Sequence, residues 1–198
     1  PDCGRCVDPF HVVEWAMEAL DEVRREVWRE AYSEAAQLAR EHPRGKGRPK
    51  ADDAETAMVK AAKAKAEEIK NSAYALGKAP GHLTENQRAK VAMIAENNNR
   101  LYRACRMKEM LRLLLKIRNV DEAAAELKRW LWRASHSRIK AFKELYLKIK
   151  RHREHILNAI RFGMSNARIE ATNNKIKLLV RKAYGFRNIQ NMLDMVYL

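Results

Sequence analysis

Ser165-Asn166-Ala167-Arg168-Ile169-Glu170-Ala171-Thr172-Asn173-Asn174-Lys175-Ile176-Lys177 is the stretch that says most about this chain. Its apolar residues and those just beyond it recur at helical spacing. On a helix, positions 170, 174, 177 and 181 share one face, one to three turns apart. That face reads Glu, Asn, Lys, Arg. The other face reads Ile169, Ile176, Leu179, Val180 and Ala183, which suits a core. One carboxylate among amides and cations is unusual for a merely solvated surface. It fits a carboxylate aimed at a metal ion or a phosphate.

Outward from this window the chain reads as helical. All five prolines lie at or before Pro80, so the last 118 residues have none. Only Gly81, Gly163 and Gly185 punctuate that stretch. Asn166 is the best cap for the helix holding Glu170, which ends at Gly185; a short helix covers about 188–197. Upstream, Ser137 starts a helix reaching Phe162, closed by a left-handed Gly163. Asn119 or Asp121 starts the helix carrying Trp130 and Trp132. Thr84-Glu85-Asn86-Gln87 is a capping box for a helix running to about Lys116, with Leu101, Met107, Leu111, Leu114 and Leu115 inside. An Ala- and Lys-rich helix spans roughly 52–76, stops at Gly77 and is only partly buried. Pro43 to Lys50 is a cationic loop that either contacts a DNA backbone or is simply solvated. Val13, Met17, Leu20, Val23, Val27, Ala31 and Leu38 form the stripe of a long helix from about His11 to Arg40. Residues 4–7 suit a short strand ending at Asp8-Pro9. No internal repeat is visible.

The chain has 198 residues and a net charge of +15. Residues 1–42 hold 10 acidic and 5 basic side chains, net −5, which leaves net +20 on the remainder. A domain this basic usually meets a polyanion, either nucleic acid or an acidic membrane surface. No apolar run is long enough to span a bilayer. The chain begins at Pro1, without Met and without the pattern of a signal peptide, and reads as a piece of something longer.

Cys3, Cys6 and Cys105 make no disulfide scaffold in a chain of this length and fit a reduced, intracellular setting. Cys3-Gly4-Arg5-Cys6 lacks a second pair at standard zinc spacing; His152 and His155 could complete one, although Lys150, Arg151 and Arg153 oppose a cation there. The plainer reading is a turn entering a strand. Trp130 and Trp132 point in different directions and are read as packing rather than as base-stacking platforms. Asp8 could cap the helix that follows it and hold His11 in one tautomer. The alternative is a plain cap followed by a surface histidine.

Together these segments resemble the C-terminal part of a bacterial insertion-sequence transposase of the ISL type, a DDE enzyme with a ribonuclease-H-like core. Val7-Asp8-Pro9-Phe10-His11-Val12-Val13 is similar to that family's D-x-F-H-V segment, and Leu83 to Arg88 to its L-T-x-x-Q-R signature. Leu101-Tyr102-Arg103-Ala104 with Lys108-Glu109-Met110-Leu111-Arg112 resembles L-Y-R-A-Y-x-L-K-E, with Cys105 in place of Tyr. Ser137-Arg138-Ile139 with Phe142 fits R-S-R-I-x-x-F. Ser165 to Lys177 fits S-N-G-R-V-E-G-T-N-x-K-I-K, with Ala167 and Ala171 in place of glycines. Ala183 to Asn188 completes the match.

The resemblance implies metal-dependent DNA strand cleavage and strand transfer. Two Asp and one Glu would hold two Mg2+ or Mn2+ ions for in-line phosphodiester displacement. Glu170 takes the place of the Glu as catalytic residue and metal ligand. Asp8, His11, Asn166, Arg168, Asn173 and Asn174 would support it; a competing assignment makes Asp8 the second acid. Lys175, Lys177, Arg181, Lys182 and Arg187 would face double-stranded DNA, both transposon ends and target. The implied fold is mainly α: residues 1–11 end the ribonuclease-H-like sheet, 12–162 form an all-helical insertion, and 163–198 hold the catalytic and terminal helices. The first strands of that α/β core have no counterpart here, so the chain reads as a fragment that is inactive alone. The implied setting is the bacterial cytoplasm, on the nucleoid and off any membrane, with a homo-oligomer as the active form. Two other readings stand beside it: a non-catalytic basic helical module that binds nucleic acid, and a helical protein–protein scaffold.

Overall fold

Asp8 opens the longest element. Its carboxylate accepts the Phe10 backbone N–H at 2.9 Å, and Pro9 occupies a first-turn position where a missing N–H is harmless. Helix α1 then runs Pro9–Glu41. The computed structural model describes residues 5–42, 54–163 and 166–182, and of residues 166–170, 172 and 173 the backbone alone. After α1 come α2 (Ala54–Lys70), α3 (Ala73–Gly77), a 3-10 turn at Pro80–His82, α4 (Glu85–Asn97), α5 (Asn99–Leu114) and α6 (Val120–Ser135). Then follow α7 (Lys140–Arg151), α8 (Arg153–Arg161) and α9 (Asn166–Lys182). The mainly α class holds, and no strand occurs among the described residues. Residues 5–8 in particular are irregular. A strand needs a partner edge, and Val7 instead donates its N–H to the His155 carbonyl at 3.2 Å, on a helical element.

Helix α1 is the hub, packing on α2, α3, α5 and α7, while α6 bridges α5, α7 and α8. Its buried face is Val12, Ala16, Ala19, Leu20, Val23, Val27, Ala31 and Ala35. The expected stripe was out of phase at both ends. Val13 and Leu38 are only half-buried and Met17 is exposed, while Ala16, Ala19 and Ala35 lie on the buried face. The Ala- and Lys-rich helix is, as expected, mostly outside, with Ala66 and Ile69 its buried residues.

Three expected helices are broken in two, at Ser72, Asn98 and His152. At Ser72 the buried hydroxyl donates to the Ile69 carbonyl at 2.7 Å and ends α2. At Asn98 the N–H closes α4 on Ile94, while Oδ1 accepts the Leu101 N–H at 2.9 Å and caps α5. At His152 the ring leans on Trp15, with centroids 5.5 Å apart. The capping box forms in both directions: Gln87 N–H to Thr84 Oγ1 at 3.4 Å and Thr84 N–H to Gln87 Oε1 at 3.0 Å. Asn119 caps α6, accepting the N–H groups of Asp121 and Glu122. Ser137 starts no helix. Its hydroxyl accepts the Ile139 N–H in the turn, and α7 begins at Lys140.

Candidate active-site helix and its surroundings

Helix α8 ends at Arg161, and Gly163 turns the chain at φ +57°, a left-handed conformation that glycine adopts without strain. Helix α9 begins at Asn166, the residue expected at its start, and carries Glu170 in its second turn. Asn166, Arg168, Glu170 and Asn173 all lie on this helix. On its described part Asn174, Lys175, Lys177, Arg181 and Lys182 are exposed. Asn174, Lys177 and Arg181 continue the Glu170 face by helical spacing. The opposite face is less covered than expected. Ile176, Leu179 and Val180 are half-buried rather than core residues, and Leu178 is 52% exposed. Arg187 and the expected last helix lie outside the described residues.

The Asp8 segment is pinned to α8. Besides the Val7–His155 bond, Asn158 Nδ2 donates to the Arg5 carbonyl at 3.2 Å. The pairing of residue 7 with 155 and of 5 with 158 runs the segment antiparallel to α8. Asp8 caps α1, but it does not hold the His11 ring. Nδ1 of His11 pairs with Glu14 at 2.9 Å, one helical turn on, where the side chains of an i, i+3 pair meet. That bond raises the His11 pKa above 6.5; desolvation opposes it, and the nearby charges of Asp8 and Glu14 add to the rise.

Hard divalent cations need several oxygen ligands. Among the described residues no three histidines, cysteines or carboxylates lie close enough to hold a metal. Asp8 already uses an oxygen in its cap. The described residues therefore do not by themselves fit a two-metal centre. His152 and His155 face each other, Nδ1 to Nδ1 at 3.4 Å, with Trp15 against His152.

Two features escaped the sequence reading. Lys108 is fully buried on α5. Its Nζ donates to the Gly77 carbonyl at 3.2 Å and pairs with Glu109, whose other oxygen takes Arg112 at 2.7 Å. The signal was present: Lys108 falls on the stripe of Leu101, Ala104 and Leu111. Burial raises the neighbouring Cys105 thiol pKa, partly opposed by Lys108. The second feature is Trp132, which lies outside the core although Trp130 is inside it.

Sequence comparisons agree with the segment resemblance. A family model for DDE transposases of the ISL3 type, described as "Transposase", matches residues 1–196. A transposase for insertion sequence element IS1557 from Mycobacterium tuberculosis strain CDC 1551 is 43% identical over 199 residues. Its counterpart from strain H37Rv is equally similar. Each alignment covers all of this chain but 43% of the relative, so the chain spans less than half the length of these relatives. No solved structure matches. With nearly its whole length inside the family model, the chain belongs to the ISL3-type DDE transposase family.

Proposed function

We propose that this chain is the part of a DNA transposase that supplies Glu170, the third acid of a metal-dependent strand-cleavage and strand-transfer site. The observation that carries the proposal is the place of Glu170 on α9. Within the family match, Asn166-x-Arg168-x-Glu170-x-x-Asn173 reproduces the N-x-R-x-E-x-x-N segment, and Asn174, Lys177 and Arg181 follow along its face. The two divalent ions of such a site, Mg2+ or Mn2+, would need acids beyond those of the described residues. What the chain's own residues do is narrower. Glu170 presents a carboxylate, and Lys175, Lys177, Arg181, Lys182 and Arg187 neutralise phosphates of double-stranded DNA. Asn166, Arg168, Asn173 and Asn174 steady the carboxylate and the backbone beside it. Asp8 and His11 act as supporting groups at the capped end of α1. Residues 1–11 and 163–198 belong to a ribonuclease-H-like core and 12–162 to a helical insertion. The active form is a homo-oligomer on bacterial DNA inside the cell. No helix among the described residues is long and apolar enough to cross a membrane.

In the full-length transposase, Glu170→Gln should abolish strand cleavage while leaving binding to transposon-end DNA nearly intact. Persistent cleavage would overturn the assignment of Glu170. A second reading, a basic helical module that only binds nucleic acid, draws on the net charge of +15. It expects the same salt-dependent DNA binding, with cleavage absent from the unsubstituted protein as well.

A further inference from the structure

The turn between α6 and α7 holds an arginine in a conformation for which the chain elsewhere uses glycine. Gly163 follows α8 at φ +57°, and Arg138 stands at φ +61° between Ser135, the last residue of α6, and Lys140, the first of α7. An L side chain is strained in that region, and among the described residues no other non-glycine residue adopts it. The turn is shaped by the neighbours of Arg138. The buried Ser137 hydroxyl donates to the Ala134 carbonyl at 2.8 Å and accepts the Ile139 N–H at 3.2 Å, and Ile139 is itself buried. Glycine would fit the same backbone without strain, so the fold gives no reason for a side chain at 138.

The charge of Arg138 is not neutralised nearby either. Its side chain is exposed, and among the described residues no carboxylate lies within 4.0 Å of it. The helix ends on either side offset one another, because the negative end of α6 and the positive end of α7 act on a cation in opposite senses. A second arginine reaches the same turn. Arg103 of α5 donates to the Ser137 carbonyl at 2.7 Å, on the peptide that carries the Arg138 N–H. Arg103 is also exposed and also meets no carboxylate among the described residues. One bond to a carbonyl leaves most of its fork of donors open.

We propose that Arg103 and Arg138 bind a backbone phosphate of duplex DNA at the α6–α7 turn. The proposal rests on the reading of the chain as part of a DNA transposase and adds a contact outside α9. A guanidinium fork matches the oxygens of a phosphate or of a carboxylate. The surrounding charge decides between them. Beyond residue 42 the chain carries net +20. On α5 the exposed Arg106 follows Arg103 by one turn, again with no carboxylate within 4.0 Å among the described residues. A surface of one sign attracts a polyanion more strongly than it attracts a single acidic side chain.

The test uses the full-length transposase and a transposon-end duplex, without divalent metal to prevent cutting, and measures affinity over a range of salt. For each phosphate neutralised, affinity varies as salt to the power of about −0.9, which amounts to about eightfold at about 0.1 M. Arg138→Gly keeps the backbone of the turn and removes the charge. It should weaken binding by about eightfold at that salt and lower the salt slope by about 0.9, yet melt no lower than the native protein. Arg103→Gln, which keeps an N–H donor for the Ser137 carbonyl, should lower the slope by a similar amount. Arg138→Lys retains the charge and should keep the native slope. The proposal falls if Arg138→Gly or Arg103→Gln keeps the native slope; an Arg138→Gly variant that does so and also melts lower would point to a carboxylate elsewhere in the transposase as the partner. It falls as well if Arg138→Lys loses as much slope as Arg138→Gly. In each of these cases the transposase reading stands. If the native protein does not bind the duplex, both fall.

Discussion

The helical body from α1 to α8 and helix α9 follow the same spacing rule and come to different ends. In the body, apolar stripes close on one another: Val12, Leu101, Leu111, Leu127, Phe142, Ile149 and Ile156 are all fully buried in one cluster. Helix α9 has a stripe of its own, yet Ile176, Leu179 and Val180 are only half-covered. Helical periodicity says that a face has an apolar side. It does not say that the same chain covers it. The body carries its own stability, whereas α9 carries the residues proposed to meet metal and DNA.

This contrast can be broken by mutation. The largest effect belongs to the body: Phe142→Ala or Trp130→Ala should lower unfolding free energy by about 3–5 kcal/mol in denaturant titration. Leu178→Ala on α9 should change it by less than about 0.5 kcal/mol. Equal losses at the two places would erase the distinction between body and α9. Next comes Lys108→Met, which fills the same space but leaves the Gly77 carbonyl and one oxygen of Glu109 without their partner. A loss of about 1–3 kcal/mol is expected, and a variant as stable as the native chain would make the buried charge dispensable. Asp8→Ala should cost about 1 kcal/mol through the lost cap of α1. Gly163→Ala should cost about 1 kcal/mol or more, read as a drop in melting temperature, because a Cβ is strained at φ +57° although no atom stands in its way.

The smallest effect is at His11. Its raised pKa means that the folded state holds the proton more tightly than the unfolded state. The contribution is complete below 6.5, the unperturbed value, and fades as pH rises through the raised one. NMR titration should place the His11 midpoint above 6.5, and Glu14→Gln should return it toward that value. A midpoint unmoved by that substitution would break the assignment of Glu14 as its partner.

Much of the body was legible because its signals are local. Thr84 with Gln87, Asn119 with Asp121, and Gly163 each settle a helix end with one or two side chains. The breaks at Ser72, Asn98 and His152 were missed for a related reason. Their neighbours continue the helical spacing, so a break at a single residue interrupts the helix without altering the stripe; at Asn98 alone of the three does the side chain cap the helix that follows. The phase error at Val13 arose from favouring large side chains, where the packing uses Ala16 and Ala19. The expected strand at 4–7 depended on a partner edge, which no local pattern can supply. The Glu170 face was legible from spacing alone, but its partners are a matter of tertiary arrangement. Of the two readings of His11, held by Asp8 or lying at the surface after a plain cap, the second is nearer, because the helix brings Glu14 within reach of the exposed ring. Trp132 was read with Trp130 as packing, although a separation of two residues on a helix puts the two rings on different sides.

The length of α1 has a consequence for how this chain can change over time. At 33 residues it spans about 50 Å and is held along its course by α2, α3, α5 and α7. Deleting one residue from its middle would rotate everything beyond by about 100°, turning the buried alanines outward and the glutamates inward. Deleting seven would restore the facing to within about 20° but shorten the rod by about 10 Å. Gaps and insertions in related chains should therefore avoid this helix and collect in the connections on either side of it.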